Sequence, residues 1–272
     1  MVESHFFDSF RFEEKGLEYY LQHMPHVTSD QLVYEETPRY IAIEGIPEKI
    51  SESLTNSEKI KFIHISCNPV GRAFSDFNHH ARWQGIKEKF PKFVDQEVDF
   101  LIKLHEKNET HFKHLTRISY LAQDKRTKER TILTNGLYNI HINAWFNTFD
   151  RKKQFIFLNG DELLTNPGKV MCDFEKKMNI GGFFCNETGG KFVRSDQGFF
   201  CFERGIQNLK GKKNWPRCAH YNSSDSPAAK GTTRDAETGK SMVPVAVGKV
   251  LEDFYTVVLQ HVRARLKMPI FR

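Results

Sequence analysis

Residues 59–80 read KIKFIHISCNPVGRAFSDFNHH. Lys59 and Lys61 form a charged edge. Ile60, Phe62, Ile63, Ile65 and Cys67 then make a short, nearly continuous apolar run. A run of that length, rich in β-branched residues, predicts a strand buried on both faces, as in a parallel sheet. Asn68-Pro69 ends it, and proline suits the first turn of a helix because an N–H there has no intrahelical partner to lose. Arg72, Ala73, Phe74 and Phe77 recur at helical spacing. The stretch therefore reads as strand, tight turn, helix, with Asn68, Arg72, Ser75 and His79 near the strand's C-terminal end. Open α/β sheets bind ligands at that edge, and free N–H groups at a helix N-terminus favour anions. An ordinary strand–helix junction without a ligand fits the same residues.

Working outward, the chain alternates strand and helix patterns, which predicts an α/β fold with a central parallel sheet flanked by helices. Upstream, Arg11 to Met24 reads as a helix with Leu17, Tyr20 and Leu21 facing inward, and Gln31 to Tyr34 as a short strand. Thr37 can cap and Pro38 can open the next helical turn. Downstream, Pro91 to His114 reads as helix and Thr116 to Thr134 as loop. Gly136-Leu-Tyr138 opens a helix whose Leu137, Ile140, His141, Ala144, Trp145 and Thr148 share one face. Gln154 to Leu158 is a second buried strand, and Glu162 to Met178 a helix interrupted near Pro167. The strands near 31–34, 60–66 and 154–158 are expected to be parallel neighbours. Gly181 to Gly205 reads as irregular, 217–246 as a mobile loop, and Val247 to Leu266 as a closing amphipathic helix. No internal repeat appears.

With 272 residues and 24 Phe the chain can bury a full core. Its net charge of +6 favours an anionic partner. No arginine-rich arm or nucleic-acid motif appears, which leaves a nucleic-acid binder the least supported class. The five Cys show no CxxC spacing, so no metal site is expected. Asn108-Glu-Thr, Asn186-Glu-Thr and Asn222-Ser-Ser match the glycosylation triplet and, with Cys185, Cys201 and Cys218 close together, point to a secretory compartment. Glu3, His5 and Asp8 set two carboxylates and an imidazole around the Phe6-Phe7 pair; in an extended segment Glu3 and His5 would share a face. Lys210-Gly211-Lys212-Lys213 is a basic loop that is either a solvated turn or a phosphate wrap.

Taken in order, these segments resemble the heparan sulfate glucosaminyl sulfotransferases. Glu3-Ser-His-Phe-Phe-Asp8 resembles that family's K-E-x-H-F-F-D, Glu35-Glu-Thr-Pro-Arg-Tyr40 its E-K-T-P-x-Y, and Asn68 to Phe77 its (R)-x-P-x-x-R-A-x-S-D-Y. Gly136-Leu-Tyr with His141 and Trp145 resembles G-x-Y-x-x-H-x-x-x-W, Gly198-Phe-Phe-Cys201 resembles G-F-Y-C, and Lys210-Gly-Lys212 resembles S-K-G-R. The resemblance implies one P-loop-like sulfotransferase domain over 1–272. Its expected activity is sulfuryl transfer from 3′-phosphoadenosine 5′-phosphosulfate to glucosamine of heparan sulfate, in the Golgi lumen and without a metal. Glu3 matches the general base, with His5 and Asp8 as orienting neighbours. Ser75, Arg72, Lys210, Gly211 and Lys212 match groups on the nucleotide. Phe6, Phe7, Thr37, Pro38, Arg39, Tyr40 and His79 match the acceptor side. Ser75-Asp76-Phe77 and Thr37-Pro38 look like the 3-O group, Asn68-Pro69 and His79 like the N-sulfating group; the balance favours 3-O.

Departures from the pattern matter. Glu36 stands where the family has Lys, and Cys67 where the 3-O enzymes have Arg. Asn208 stands where the second disulfide's partner cysteine falls, so Cys201 is expected to pair with Cys185 or Cys218 in a secretory protein and to be a free thiol otherwise. The family's first strand, its K-x-G-T phosphate loop and the membrane anchor precede the first motif found here, so an N-terminally incomplete domain is expected. An inactive or fragmentary member that binds anionic glycans is the alternative.

Overall fold

A computed structural model describes residues 4–84, 88–108, 110, 131–186, 191–194, 200–203 and 242–266. The elements are α1 (Arg11–Gln22), a 3₁₀ turn (Pro38–Ala42), α2 (Ile46–Ser53), β1 (Phe62–Ser66), α3 (Pro69–Gln84), α4 (Phe90–Lys107), α5 (Tyr138–Thr148), a short turn α6 (Arg151–Gln154), β2 (Phe155–Asn159), a short turn α7 (Gly160–Leu163), α8 (Pro167–Met178), β3 (Lys191–Arg194), β4 (Phe200–Glu203) and α9 (Val245–Leu266). The chain divides into two compact units, each built from separated stretches.

One unit comprises Met1–Lys61, Asp99–Gln154 and Val257–Arg272. It is helical, and its core gathers the aromatic residues that the sequence scatters. Phe6 stacks on Tyr20 at 4.8 Å, and Phe7 meets Phe12 and Tyr40 at 5.6 and 5.9 Å. Trp145 on α5 donates its indole N–H to Ile41 O at 3.3 Å, tying α5 to the 3₁₀ turn. Gly16 in α1 has φ +69, a conformation that glycine adopts without a Cβ penalty, and it kinks that helix. Tyr20 turns inward as expected, but Leu21 is 52% exposed, because the kink shifts the helix's phase. Gln31 to Tyr34 is not a strand: it has no ladder partner among the described residues, and Leu32 and Tyr34 lie exposed. β propensity alone does not make a strand when no neighbouring backbone accepts its hydrogen bonds. At the end of the predicted 116–134 loop, residues 131–134 are helical, with Ile132 and Leu133 fully buried.

The other unit comprises Phe62–Val98 and Phe155–Thr256. Here β1 and β2 pair in parallel, Phe62 opposite Phe155 through Ser66 opposite Asn159, as the apolar runs predict. Ile156 and Leu158 pack under α8 through Val170, Phe174 and Met178. On the other face Phe62 stacks on Phe155 at 5.1 Å and His64 meets Phe157 at 5.8 Å. Full burial of β1 on both faces does not hold, since Ile63 and Ile65 remain about half exposed. Val70, Ala73 and Phe77 form the buried face of α3, with Phe77 against Phe90 and Phe93 at 5.1 Å each.

Residues 181–205, expected to be irregular, contain an antiparallel pair, Lys191 opposite Glu203 to Arg194 opposite Phe200. The cysteine pairing also differs. Cys172 of α8 bonds Cys185, with Cα atoms 4.5 Å apart, which removes Cys185 as a partner for Cys201. The cause is local: Asn179 leaves α8 at φ +53, turning the chain back, and buried Glu175 accepts the N–H groups of Phe184 and Cys185 at 2.9 and 3.0 Å. The Cys201 side chain, Cys218 and residues 217–241 of the predicted mobile loop lie outside the described residues. No helix among the described residues is long and apolar enough to cross a membrane.

Candidate functional site

The segment Ser4 to Asp8 is held by a network centred on Glu35. Its carboxylate accepts hydrogen bonds from Ser4 Oγ, from Thr37 Oγ1 at 2.6 Å and from the Tyr20 hydroxyl at 3.0 Å. The Tyr40 hydroxyl accepts the N–H groups of Phe6 and Phe7 at 2.9 and 3.2 Å and lies 3.0 Å from Ser4 Oγ. Burial raises both phenols' pKa values, with the Glu35 charge adding at Tyr20, so both remain protonated. Thus Glu35, Thr37 and Tyr40, spaced along one short stretch, clamp a segment thirty-odd residues upstream in sequence.

That clamp sets His5 and Asp8. The His5 ring lies 3.0 Å from Asp8 through Nδ1, and Arg39 Nε approaches the same carboxylate oxygen at 3.5 Å. The Asp8 side chain is 1% exposed while His5 is 39% exposed, so a buried carboxylate aims a partly exposed imidazole. With Asp8 accepting, Nδ1 carries the hydrogen and Nε2 is left as the ring's basic nitrogen. The second carboxylate oxygen of Asp8, Oδ1, is buried with no hydrogen-bond partner among the described residues. His5 has φ +47, so the segment is not extended at this residue. Left-handed backbone costs about 1–2 kcal/mol at a residue other than glycine, and the Glu35–Tyr40 network offsets it.

Phe6 and Phe7 are corrected from acceptor contacts to core: at 2% and 0% exposure their rings anchor the segment and present no surface to a ligand. Thr37 and Tyr40 are likewise buried, and their hydroxyls serve the clamp. Pro38 is exposed and Arg39 partly so. Glu3, Lys210, Gly211 and Lys212 lie outside the described residues.

In the other unit the strand–turn–helix forms as read. The expected free N–H groups at the start of α3 are, however, occupied in part: Asn68 Oδ1 accepts those of Val70 and Gly71 at 2.9 and 3.2 Å. Asp161 of α7 accepts the Asn68 N–H at 2.8 Å and places a negative charge there. An anion at this edge is therefore met by side chains rather than by the helix's first amides. Arg72, Ser75, Asp76 and His79 lie on one stripe of α3 at i, i+3, i+4 and i+7. Arg72 Nη1 donates to Asp76 Oδ2 at 2.9 Å, with 19% and 20% of these side chains exposed. Ser75 is half-buried and His79 exposed. An arginine and a hydroxyl one turn apart fit a phosphate, although Asp76 offsets part of the charge.

Cys67 closes β1 against Gly160: a Cβ at Gly160 would stand 2.3 Å from Cys67 Sγ and 3.0 Å from Ser66 O, so only glycine permits this approach. Burial and then Asp161 push the Cys67 thiol's pKa up, with Arg72 opposing, which keeps it protonated and unreactive. A separate cavity of about 480 Å³, lined by Asn166, Lys169, Lys191, Phe192 and Phe200 among others, contains none of the predicted site residues. No group of three or more metal-ligating side chains occurs among the described residues.

The parallel β1–β2 pair and its flanking helices define an α/β protein with an arginine and a hydroxyl one turn apart beyond a β-strand–helix junction. A sulfotransferase-domain family model matches residues 1–176, well over half of the chain, and the chain belongs to that family. Among curated proteins it is similar to mouse (Mus musculus) heparan sulfate glucosamine 3-O-sulfotransferase 5, 27% identical over 205 residues covering 75% of this chain and 51% of the relative. It is similar also to human (Homo sapiens) heparan sulfate glucosamine 3-O-sulfotransferase 3B1, 29% identical over 70% of the chain and 43% of the relative. A third relative, mouse bifunctional heparan sulfate N-deacetylase/N-sulfotransferase 4, is 24% identical over 92% of the chain and 26% of its own length. The chain thus spans about half the length, or less, of these relatives.

Sequence reasoning missed Ser4 and Tyr20 in the clamp, and Asp161 beside Asn68. Ser4 is small and polar next to louder neighbours. The helical spacing of Tyr20 marks it only as an inward-facing residue.

Proposed function

We propose that the chain transfers a sulfuryl group to glucosamine residues of heparan sulfate, with residues 1–272 acting as one sulfotransferase domain in the Golgi lumen. The observation that carries this reading is the clamp: two motif segments distant in sequence join through Glu35 and Tyr40 and hold the His5–Asp8 pair at a surface. When bound, 3′-phosphoadenosine 5′-phosphosulfate supplies a sulfuryl group already attached to a good leaving group. The protein's part is to position groups and stabilise charge, as in phosphoryl transfer. Glu3 removes the proton from the acceptor, which a sugar hydroxyl needs in order to attack. His5, aimed by Asp8, orients that acceptor and can itself hold a proton at Nε2. Arg72 and Ser75 take the 3′-phosphate, Lys210, Gly211 and Lys212 close over the nucleotide, and Pro38, Arg39 and His79 face the saccharide.

The 3-O position is the preferred target on the strength of Ser75-Asp76-Phe77 and Thr37-Pro38. Transfer of radiolabelled sulfate to heparan sulfate, followed by disaccharide analysis, tests both the activity and the position. Glu3→Gln is expected to lower transfer by about 100-fold or more, the scale of general-base catalysis, while nucleotide binding stays near wild type. Ser75→Ala is expected to weaken nucleotide binding. Wild-type rates from Glu3→Gln would remove Glu3 as the base. Glycan binding with no transfer at all would favour the inactive-binder alternative.

A further inference from the structure

Arg72 is held by more than its neighbour on α3. Besides donating to Asp76, its guanidinium hydrogen-bonds the hydroxyl of Tyr255 on α9, nearly two hundred residues downstream. Tyr255 is 2% exposed, on the same helix as Leu251 at 0% and Phe254 at 1%, and its ring meets Phe254 at 5.1 Å. A phenol packed this way cannot swing aside. Burial also raises its pKa, so it remains neutral and holds the cation without cancelling charge. Asp76 does the opposite: it fixes Arg72 but opposes its charge. An arginine pinned by Asp76 alone would be drawn down onto the helix, towards that carboxylate. A second anchor from another element fixes the plane of the guanidinium, and that plane decides whether its donor fork meets a phosphate.

We propose that Tyr255 is a positioning residue for Arg72, setting the guanidinium for the 3′-phosphate of the donor nucleotide. The inference rests on the reading of Arg72 given above. It makes the C-terminal helix part of the donor site.

The test uses the full chain and two probes, adenosine 3′,5′-bisphosphate and adenosine 5′-monophosphate, with affinities from calorimetry. Their ratio isolates the 3′-phosphate. Tyr255→Phe removes one hydroxyl and keeps the ring. It is expected to reduce the bisphosphate preference by about fivefold to tenfold, the scale of one charge-assisted hydrogen bond partly lost, with monophosphate affinity unchanged. Arg72→Gln should collapse the preference, and adding Tyr255→Phe to it should change nothing further. A general loosening of the fold would weaken both nucleotides together and leave the ratio alone; that result overturns the inference. An unchanged ratio in Tyr255→Phe, with Arg72→Gln still collapsing it, also overturns the inference and leaves the functional reading standing. A wild-type chain with no preference for the bisphosphate removes the role of Arg72, and the inference falls with it.

Discussion

His64 gives a pH-dependent stability that can be worked through from its surroundings. It sits mid-strand in β1, on the face where Phe62 stacks on Phe155 and where its own ring meets Phe157. Burial lowers its pKa to about 4, because the charged imidazolium is poorly solvated there. In the unfolded chain the value returns to about 6.5. The folded state therefore binds fewer protons, and the stabilisation is complete above about pH 6.5 and is lost as pH falls towards 4. Between pH 7.5 and pH 5.0 the loss from this residue comes to about 2 kcal/mol, and it approaches about 3 kcal/mol below pH 4. Paired carboxylates also weaken in acid, so the informative quantity is a difference. Urea unfolding of wild type and His64→Phe should be compared at both pH values. His64→Phe keeps an aromatic ring against Phe157 and should show a pH-dependent loss smaller by about 2 kcal/mol. Equal losses in the two proteins would refute the argument that His64 is buried neutral.

Further outcomes follow from the Glu35 network, the Cys67–Gly160 contact and the disulfide. Glu35→Gln keeps the shape but removes the charge that Ser4, Thr37 and Tyr20 share, and should cost about 2 kcal/mol by urea unfolding, with sulfate transfer reduced more than tenfold. A stability change within about 0.5 kcal/mol, the range of an ordinary surface substitution, would show that the network does not hold the segment. Gly160→Ala forces a methyl against Cys67 Sγ and Ser66 O and should destabilise by about 1–3 kcal/mol; Cys67→Ala in the same chain should restore part of it, and no restoration would place the clash elsewhere. Cys172→Ser should cost about 3 kcal/mol, the scale for closing a loop of this size. Peptide mapping under non-reducing conditions should recover Cys172 joined to Cys185, and a Cys185–Cys201 peptide would contradict the pairing.

Much of the architecture was legible because its signals are local. The apolar runs at 60–66 and 154–158 and the turn residues after them specify strand, turn and helix within a few residues, Gly136 marks a helix start and Pro167 a helix break. The order of the motifs likewise needs no folding to be read. Phe6 and Phe7 show the limit: the family resemblance puts them on the acceptor side, and only packing against Tyr20, Phe12 and Tyr40 reveals them as core. The same holds for Gln31 to Tyr34, whose composition suits a strand but which has no ladder partner among the described residues, and for Cys185, whose bond to Cys172 depends on Glu175 folding the chain back after α8. Glu35 meets Ser4, Asp161 meets Asn68 and Tyr255 meets Arg72 across separations of tens to nearly two hundred positions. Where periodicity and turn residues agree, as at 60–84 and 154–159, the sequence by itself determines the element, but a strand also needs a neighbouring backbone. Which hydroxyl meets which carboxylate is set by non-local packing, where a hydrogen bond needs its partner within about 3 Å; that is decided only when the tertiary structure forms.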